Sequence, residues 1–250
     1  MSFDSDQIHV KPFVHETRKT RSLHFSIAEV QSSMELAQPD SLHLAYTRTM
    51  MGFLLFHPMP LRIGMVGLGG GSLAKFCYRN LPRADITVLE INPHVIALRD
   101  DFSVPADDAR FRVIRADGSR YIRAHENAFD VLLVDGYDYG GLPGVLSSKR
   151  FYDDVFDCLR PSGVMAANIH LGHAEFPLLV ARIGRSFNGA ALKVEEHDSG
   201  NAIVFARKDC GLTSCGLEEV IRPETLESAE WKLLQDAFGR IRAALKERTS

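Results

Sequence analysis

The residues best suited to chemistry fall where apolar runs end. Val66–Phe76 reads VGLGGGSLAKF directly after the apolar run LRIGMV, so Gly67, Gly69 and Gly71 stand between a strand and a helix. Glycines there leave backbone N–H groups unencumbered at a helix N-terminus, where a phosphate or a nucleoside lies against the chain. A phosphate loop of the NTPase kind ends in Gly-Lys-Ser or Gly-Lys-Thr, and this one ends in Gly-Ser-Leu. The dinucleotide fingerprint calls for glycine at position 72 and finds Ser72. By itself the loop is equally a tight strand-to-helix turn. Acids follow at the ends of the next apolar runs: Glu90 in ITVLEIN, Asp117 in IRADGSRYI, and Asp135 and Asp138 in VLLVDGYDYGG. An acid at the place of Glu90 accepts both hydroxyls of a ribose and needs no phosphate partner. Each acid taken singly has a bland alternative as a helix N-cap. The ordered set, on one edge of a sheet, points to a ligand.

Those positions require a particular scaffold. RIGMVG, DITVLEI, FRVIRA, FDVLLVD and GVMAANI are strand-like runs, each followed by a stretch of helical length. Such alternation predicts an α/β fold, a doubly wound, mostly parallel sheet covered by helices on both faces. Helices are expected at GSLAKFCYRN, PHVIALRD, GSRYIRAH and KRFYDDVFDCLR, the last halted by Pro161 and Gly163. LKVEEH and NAIVFARK flank the turn-rich DSGN and predict an antiparallel hairpin closing the sheet. Residues 1–39, containing LHFSIAEVQSSMEL, read as a short N-terminal β-rich segment. An amphipathic helix is expected over about 41–56, ended by Pro58 and Pro60, opening a nucleoside-binding domain over 40–208. A loop and helix over 209–250 read as a packing or oligomer element.

Composition narrows the partners. In 250 residues, 45% hydrophobic and 24% charged, the formal net charge is −3, which supplies no field for neutralising a run of phosphates. Nucleic acid is therefore excluded as an expected partner. MSFDSDQIHV carries acids where a secretory leader carries bases, and no apolar run approaches the ~20 residues that span a bilayer. A cytoplasmic protein without a membrane partner is expected. Cys77, Cys158, Cys210 and Cys215 complete no zinc spacing and read as free thiols. His170 and His173 form an H-x-x-H pair without a third ligand, so no metal is expected and a hydrogen-bonding or helix-starting role is.

With these residues in view, the chain resembles the class I S-adenosylmethionine-dependent transferases, and within them the spermidine synthase (polyamine aminopropyltransferase) family. GLGGGSL, VLEINPHVI, RADG and FDVLLVDGYDYGGLPGVLSSKRFYDDVFDCLRPSGV carry the resemblance, which runs from about Gln31 to Arg207. It implies a class I methyltransferase-like, Rossmann-type fold and a group donor, decarboxylated S-adenosylmethionine or S-adenosylmethionine. The acceptor it implies is a small-molecule amine such as putrescine, and the assembly a homodimer or higher homo-oligomer. Gly67, Gly69, Gly71, Glu90, Asp117, Gly118 and Gln31, which matches one of two family glutamines, would line the donor. Asp135 would orient and deprotonate the amine, Asp138 would hold the acceptor, and Tyr46 would line its site. The chemistry is coherent: an alkyl ammonium, with a pKa near ~10.4, must lose a proton before attacking a sulfonium carbon. Tyr137 and Tyr139 either hold a second ammonium through cation–π attraction or pack the loop.

The pattern also departs from the family. The glycine loop is commonly GGGDGG there, with an acid that recognises the aminopropyl ammonium; Gly70 occupies that place here. Tyr46 is followed by Thr47 and Arg48, a cation where the family has an acid. Asp138 is followed by Tyr139 rather than proline, and a family Tyr-Pro-Ser-Gly element reads His197-Asp198-Ser199-Gly200. Methyl transfer from intact S-adenosylmethionine is the alternative that Gly70 and Arg48 favour. A nucleoside-binding homologue without turnover is the other.

Overall fold

The apolar runs become the strands of one mixed sheet in the computed structural model, which describes residues 9–27, 30–196, 199–209, 211–212 and 217–249. His197, Asp198, Cys210 and Cys215 lie outside the described residues. Strands β4 (Arg62–Val66), β5 (Asp85–Glu90), β6 (Phe111–Arg115), β7 (Phe129–Val134) and β8 (Leu159–His170) run parallel. The expected hairpin, β9 (Ala191–Glu196) and β10 (Asn201–Arg207), closes one edge, β10 lying antiparallel to β8. The order is β6-β5-β4-β7-β8-β10-β9. From β4 the chain winds outward to β6 and then returns to β7 on the other side, so the switch point opens between the ends of β4 and β7. The β-rich segment ahead of it is a three-stranded antiparallel sheet of β1 (Phe13–Glu16), β2 (Thr20–His24) and β3 (Ser32–Glu35).

Alternate strand residues feed two cores. Ile63, Met65, Val131 and Leu133 pack on one face with α2 (Ser72–Asn80) and α7 (Ser228–Thr249). Leu132, Val134, Met165 and Ala167 pack on the other with α4 (Gly118–Arg123), α5 (Lys149–Cys158) and α6 (Phe176–Ser186). Strand-to-helix junctions are capped by side chains. Asn92 caps α3 (Pro93–Ile96), Asp117 caps α4 and Ser148 caps α5, each accepting N–H bonds from the first turn. Buried Leu234, Ala237, Phe238 and Ile241 make α7 a packing element of its own chain.

Three expectations need correction. The helix expected over PHVIALRD closes at Ile96, and residues 97–103 follow as turns. The segment over 41–56 is not one amphipathic helix: α1 (Ala45–Met50) gives way to a 3-10 turn, Met51–Leu55, in which every residue is buried. It lies between the sheet and α7 so closely that a Cβ on Gly52 would stand 2.1 Å from Ile241 Cδ1 and 2.9 Å from Phe205 Cζ. Helix α5 ends at Cys158, three residues before Pro161, because Leu159 already turns extended to pair with Phe129. Pro161 therefore sits inside β8, beside a register shift and the left-handed Ser162 (φ 64°). Helix α6, which the strand pattern allowed without marking, packs against α5 and covers the hairpin. No described helix is long and apolar enough to cross a membrane. Gly52→Ala is expected to cost about 1–3 kcal/mol through overpacking, read as a lowered urea midpoint with an unchanged slope.

Candidate active site

The C-terminal ends of β4, β5, β6 and β7 open into a cleft of about 750 Å³, walled on its far side by the N-terminal sheet and the start of α1. That volume suits a nucleoside-sized molecule and a small partner. Its floor is the glycine turn. Gly67 (φ 95°) passes so close to β7 that a Cβ would stand 2.3 Å from the carbonyl oxygen of Asp135. Gly69 (φ 51°) and Gly118 also line the cleft, and a Cβ on Gly118 would meet Val66 at 2.8 Å. Gly71 differs from its expected role. It is the left-handed N-cap of α2, outside the cleft lining, where a side chain would strike Val104 at 2.4 Å.

Glu90 is buried at the end of β5, accepting the Leu68 N–H at Oε2 (2.9 Å) and the Asn92 N–H at Oε1 (2.8 Å). Burial pushes its pKa up, while these amides and that of Ile91 favour the ionised form. Each oxygen keeps a lone pair for a further donor such as a ribose hydroxyl. Beside it the Asn92 side chain donates to the Val10 carbonyl (2.9 Å), strapping the N-terminal segment across this end of the cleft. Asp117 lines the cleft and is also the cap of α4, Oδ1 accepting the Ser119 N–H and hydroxyl. Partial burial opposes its ionisation, but the Ser119 and Arg120 donors outweigh it and hold the pKa below the usual carboxylate range.

Asp135 is the centre of the site. Tyr46 Oη donates to its Oδ2 (3.0 Å) and Asn168 Nδ2 to its Oδ1 (2.8 Å), while Asn201 Nδ2 braces Asn168 Oδ1 (2.9 Å). Burial raises the Asp135 pKa; the bonds from Asn168 and Tyr46 and the nearby His170 restrain the rise. Burial, then the Asp135 charge, hold the Tyr46 hydroxyl protonated, so it serves as a donor. Tyr137 turns its hydroxyl to β8, donating to Asn168 O (3.1 Å) and accepting from the His170 N–H (2.9 Å). It therefore braces the loop after β7. Asp138 stands exposed in that loop, Oδ1 accepting the Gly140 N–H (2.7 Å), and lines the cleft with Tyr139. Gln31 lines the opposite wall, its backbone N–H bonded to Leu23 O (2.9 Å).

Neither unusual residue behaves as its type suggests. Arg48 points away from the cleft, donating to the carbonyls of Leu42 (2.7 Å) and His43 (2.9 Å). Gly70 has no room for a side chain, since a Cβ would stand 2.7 Å from Ser32 Oγ and 2.8 Å from the Phe102 ring. Asn168 and Asn201 were not singled out in the sequence, although an amide inside the apolar run GVMAANI signals a buried group that must find partners. No group of three or more His, Cys, Asp or Glu that could hold a metal occurs among the described residues.

A family model described as "Spermine/spermidine synthase domain" matches residues 43–177. The chain belongs to that family. It is 36% identical over 194 residues to a polyamine aminopropyltransferase of Chromobacterium violaceum, covering 77% of this chain and 74% of that one. To the Neisseria meningitidis protein of the same name it is 37% identical over 195 residues, with the same coverage. A solved probable spermidine synthase from Corynebacterium glutamicum shares the fold, with TM-score 0.71 and 17% identity over 90% of this chain and 82% of that one. This spermine/spermidine synthase family member thus has the α/β fold of its relatives, with a filled wall where Gly70 stands. Gly70→Asp is expected to lower stability by about 1–3 kcal/mol in thermal melts. Because Phe102 is itself buried, the comparison is a cycle: in a Phe102→Ala background the loss caused by Gly70→Asp should be smaller, and an unchanged loss would mean that Phe102 is not the obstacle.

Proposed function

We propose that this family member transfers an aminopropyl group from decarboxylated S-adenosylmethionine to an amine such as putrescine. The observation that carries the reading is the charge of the cleft. Its described lining includes the carboxylates Glu90, Asp117, Asp135 and Asp138 and neither lysine nor arginine. Such a surface attracts a sulfonium donor and an ammonium acceptor together and disfavours anions. The names of the Chromobacterium and Neisseria relatives support the same activity.

In this reading the donor nucleoside lies over Gly67 and Gly69, its ribose hydroxyls on Glu90 and its adenine beside Asp117 and Gly118. Gln31 meets the donor from the opposite wall. The acceptor enters along Asp138 and Tyr46 and presents one nitrogen to Asp135. Asp135 takes the proton that the ammonium must lose. The freed amine attacks the propyl carbon next to sulfur in line; a C–N bond forms, the C–S bond breaks, and methylthioadenosine leaves with the electron pair on sulfur. The charge lost from sulfur reappears on the product nitrogen. Burial of Asp135, with its raised pKa, makes it a stronger base than an ordinary aspartate. Activity that needs this carboxylate ionised rises with pH, and its acid limb lies above the reference value of ~3.9.

A second reading has one observation in its favour. The wall at Gly70 offers no acid to a donor ammonium, and Ser32 and Phe102 close the space. Methyl transfer from intact S-adenosylmethionine would need no such acid. Mass spectrometry of the products from both donors with a panel of amines separates the readings: a mass gain of one aminopropyl group supports the first, of one methyl group the second. Asp135→Asn is expected to lower kcat about 10²- to 10⁴-fold with the melting temperature kept. Turnover near the wild-type rate would rule Asp135 out as the base.

A further inference from the structure

Outside the cleft, Glu196 is a buried carboxylate, 5% exposed, that the transfer itself does not use. It ends β9, and three cationic or polar groups converge on it. Arg240 of α7 forms an ion pair with its Oε1, the hydroxyl of fully buried Thr49 donates to the same oxygen, and the Arg48 charge faces it from α1. Arg240 Nη2 also reaches Thr49 Oγ1 (3.2 Å), which closes a triangle between α1, β9 and α7.

The Tyr46 hydrogen bond on Asp135 leads back to this triangle through side chains, and the Asn168 bond adjoins it through the hairpin backbone. Thr49 lies one turn beyond Tyr46 on α1, so fixing its hydroxyl fixes the rotation and height of the helix that presents Tyr46 to Oδ2. On the other side Glu196 pairs across the hairpin with Asn201, and Asn201 braces Asn168, which donates to Oδ1. We propose that Glu196, held by Arg240, is a positioning residue for Asp135, its carboxylate setting the Tyr46 arm through Thr49. The C-terminal helix, distant from the cleft, thereby bears on the base.

The charged and titratable groups facing Asp135 are Tyr46 from α1, Tyr137 from the loop after β7 and His170 from β8. Bonds from Tyr46 and Asn168 favour the carboxylate, so loosening them leaves burial to act and raises the Asp135 midpoint. The test follows the Asp135 carboxyl by 13C NMR through a pH titration of the substrate-free full chain, assigned by difference with Asp135→Asn. In Glu196→Gln and in Arg240→Met the midpoint should rise by about half a pH unit or more, and Arg240→Lys should bring it back. Combined with Tyr46→Phe, Glu196→Gln should shift it by less than the sum of the two single changes. An Asp135 midpoint that stays at the wild-type value in both Glu196→Gln and Arg240→Met overturns the proposal, whatever their melting temperatures. The role rests on Asp135 serving as the base, but the titration needs no turnover. A wild-type chain that makes no product would refute the transfer reading and leave this result standing.

Discussion

A carboxylate removed from water takes up a proton unless donors replace the water it has lost. Asp135, half-buried in the wall of the cleft, is partly in that position, and the elements packed around it supply donors. Its two oxygens are met by a phenol from α1 and an amide from β8. Neither donor comes from the strand that carries the acid. The geometry at one atom therefore depends on how α1, β8 and β10 pack, and so on α7, which holds α1 against the sheet through Phe238 and Ile241. Burial alone raises the pKa of this carboxyl, and each of the two donors lowers it again, so the packing of those elements sets the balance.

The glycine turn imposes the second constraint. Gly67 lets β4 and β7 converge until a side chain would collide with the Asp135 carbonyl, and the Asp135 N–H bonds Val66 O (2.9 Å). The backbone of the glycine turn is thus in contact with the backbone that carries the acid. Glu90 extends the contact in the other direction, since its carboxylate holds the Leu68 N–H of the same turn. The glycine turn, Glu90 and Asp135 are thus tied together through backbone contacts, an arrangement that would space the two reactants of the proposed displacement.

Much of this was legible in the sequence for identifiable reasons. The parallel strands are short, strongly apolar and separated by helices with capping residues, so period and punctuation agreed. Glu90, Asp117 and Asp135 could be placed at one edge because strand ends in an alternating α/β chain share an edge. What failed needed knowledge of packing. The helix over 41–56 has an apolar pattern that fits an amphipathic helix, but both of its faces are covered, by the sheet and by α7. Arg48 follows Tyr46 by two positions, which on a helix turns it away from the same surface, toward the carbonyls of Leu42 and His43. Gly71 belongs to the glycine motif, yet it serves the helix start and Val104. Asn168 and Asn201 meet only where β10 lies against β8, and a strand pattern does not disclose cross-strand partners.

The wall at Gly70 bears on how a donor would be told from its carboxylated precursor. A contacting acid distinguishes them by one close ion pair, and here Ser32 and Phe102 fill that place. What remains is the summed field of Glu90, Asp117, Asp135 and Asp138, which favours the donor with the larger net positive charge wherever its tail lies. A field of this kind acts over a distance comparable to the ~8 Å screening length at physiological salt, so it discriminates by degree and weakens as salt is added. A contact in a desolvated pocket would do neither. Selectivity by field also leaves the tail of the donor free to be shaped by neutral neighbours, Ser32 and Gln31 among them. Under the proposed transfer, a glycine at position 70 would leave recognition of a cationic donor to the carboxylates of the whole cleft rather than to one residue.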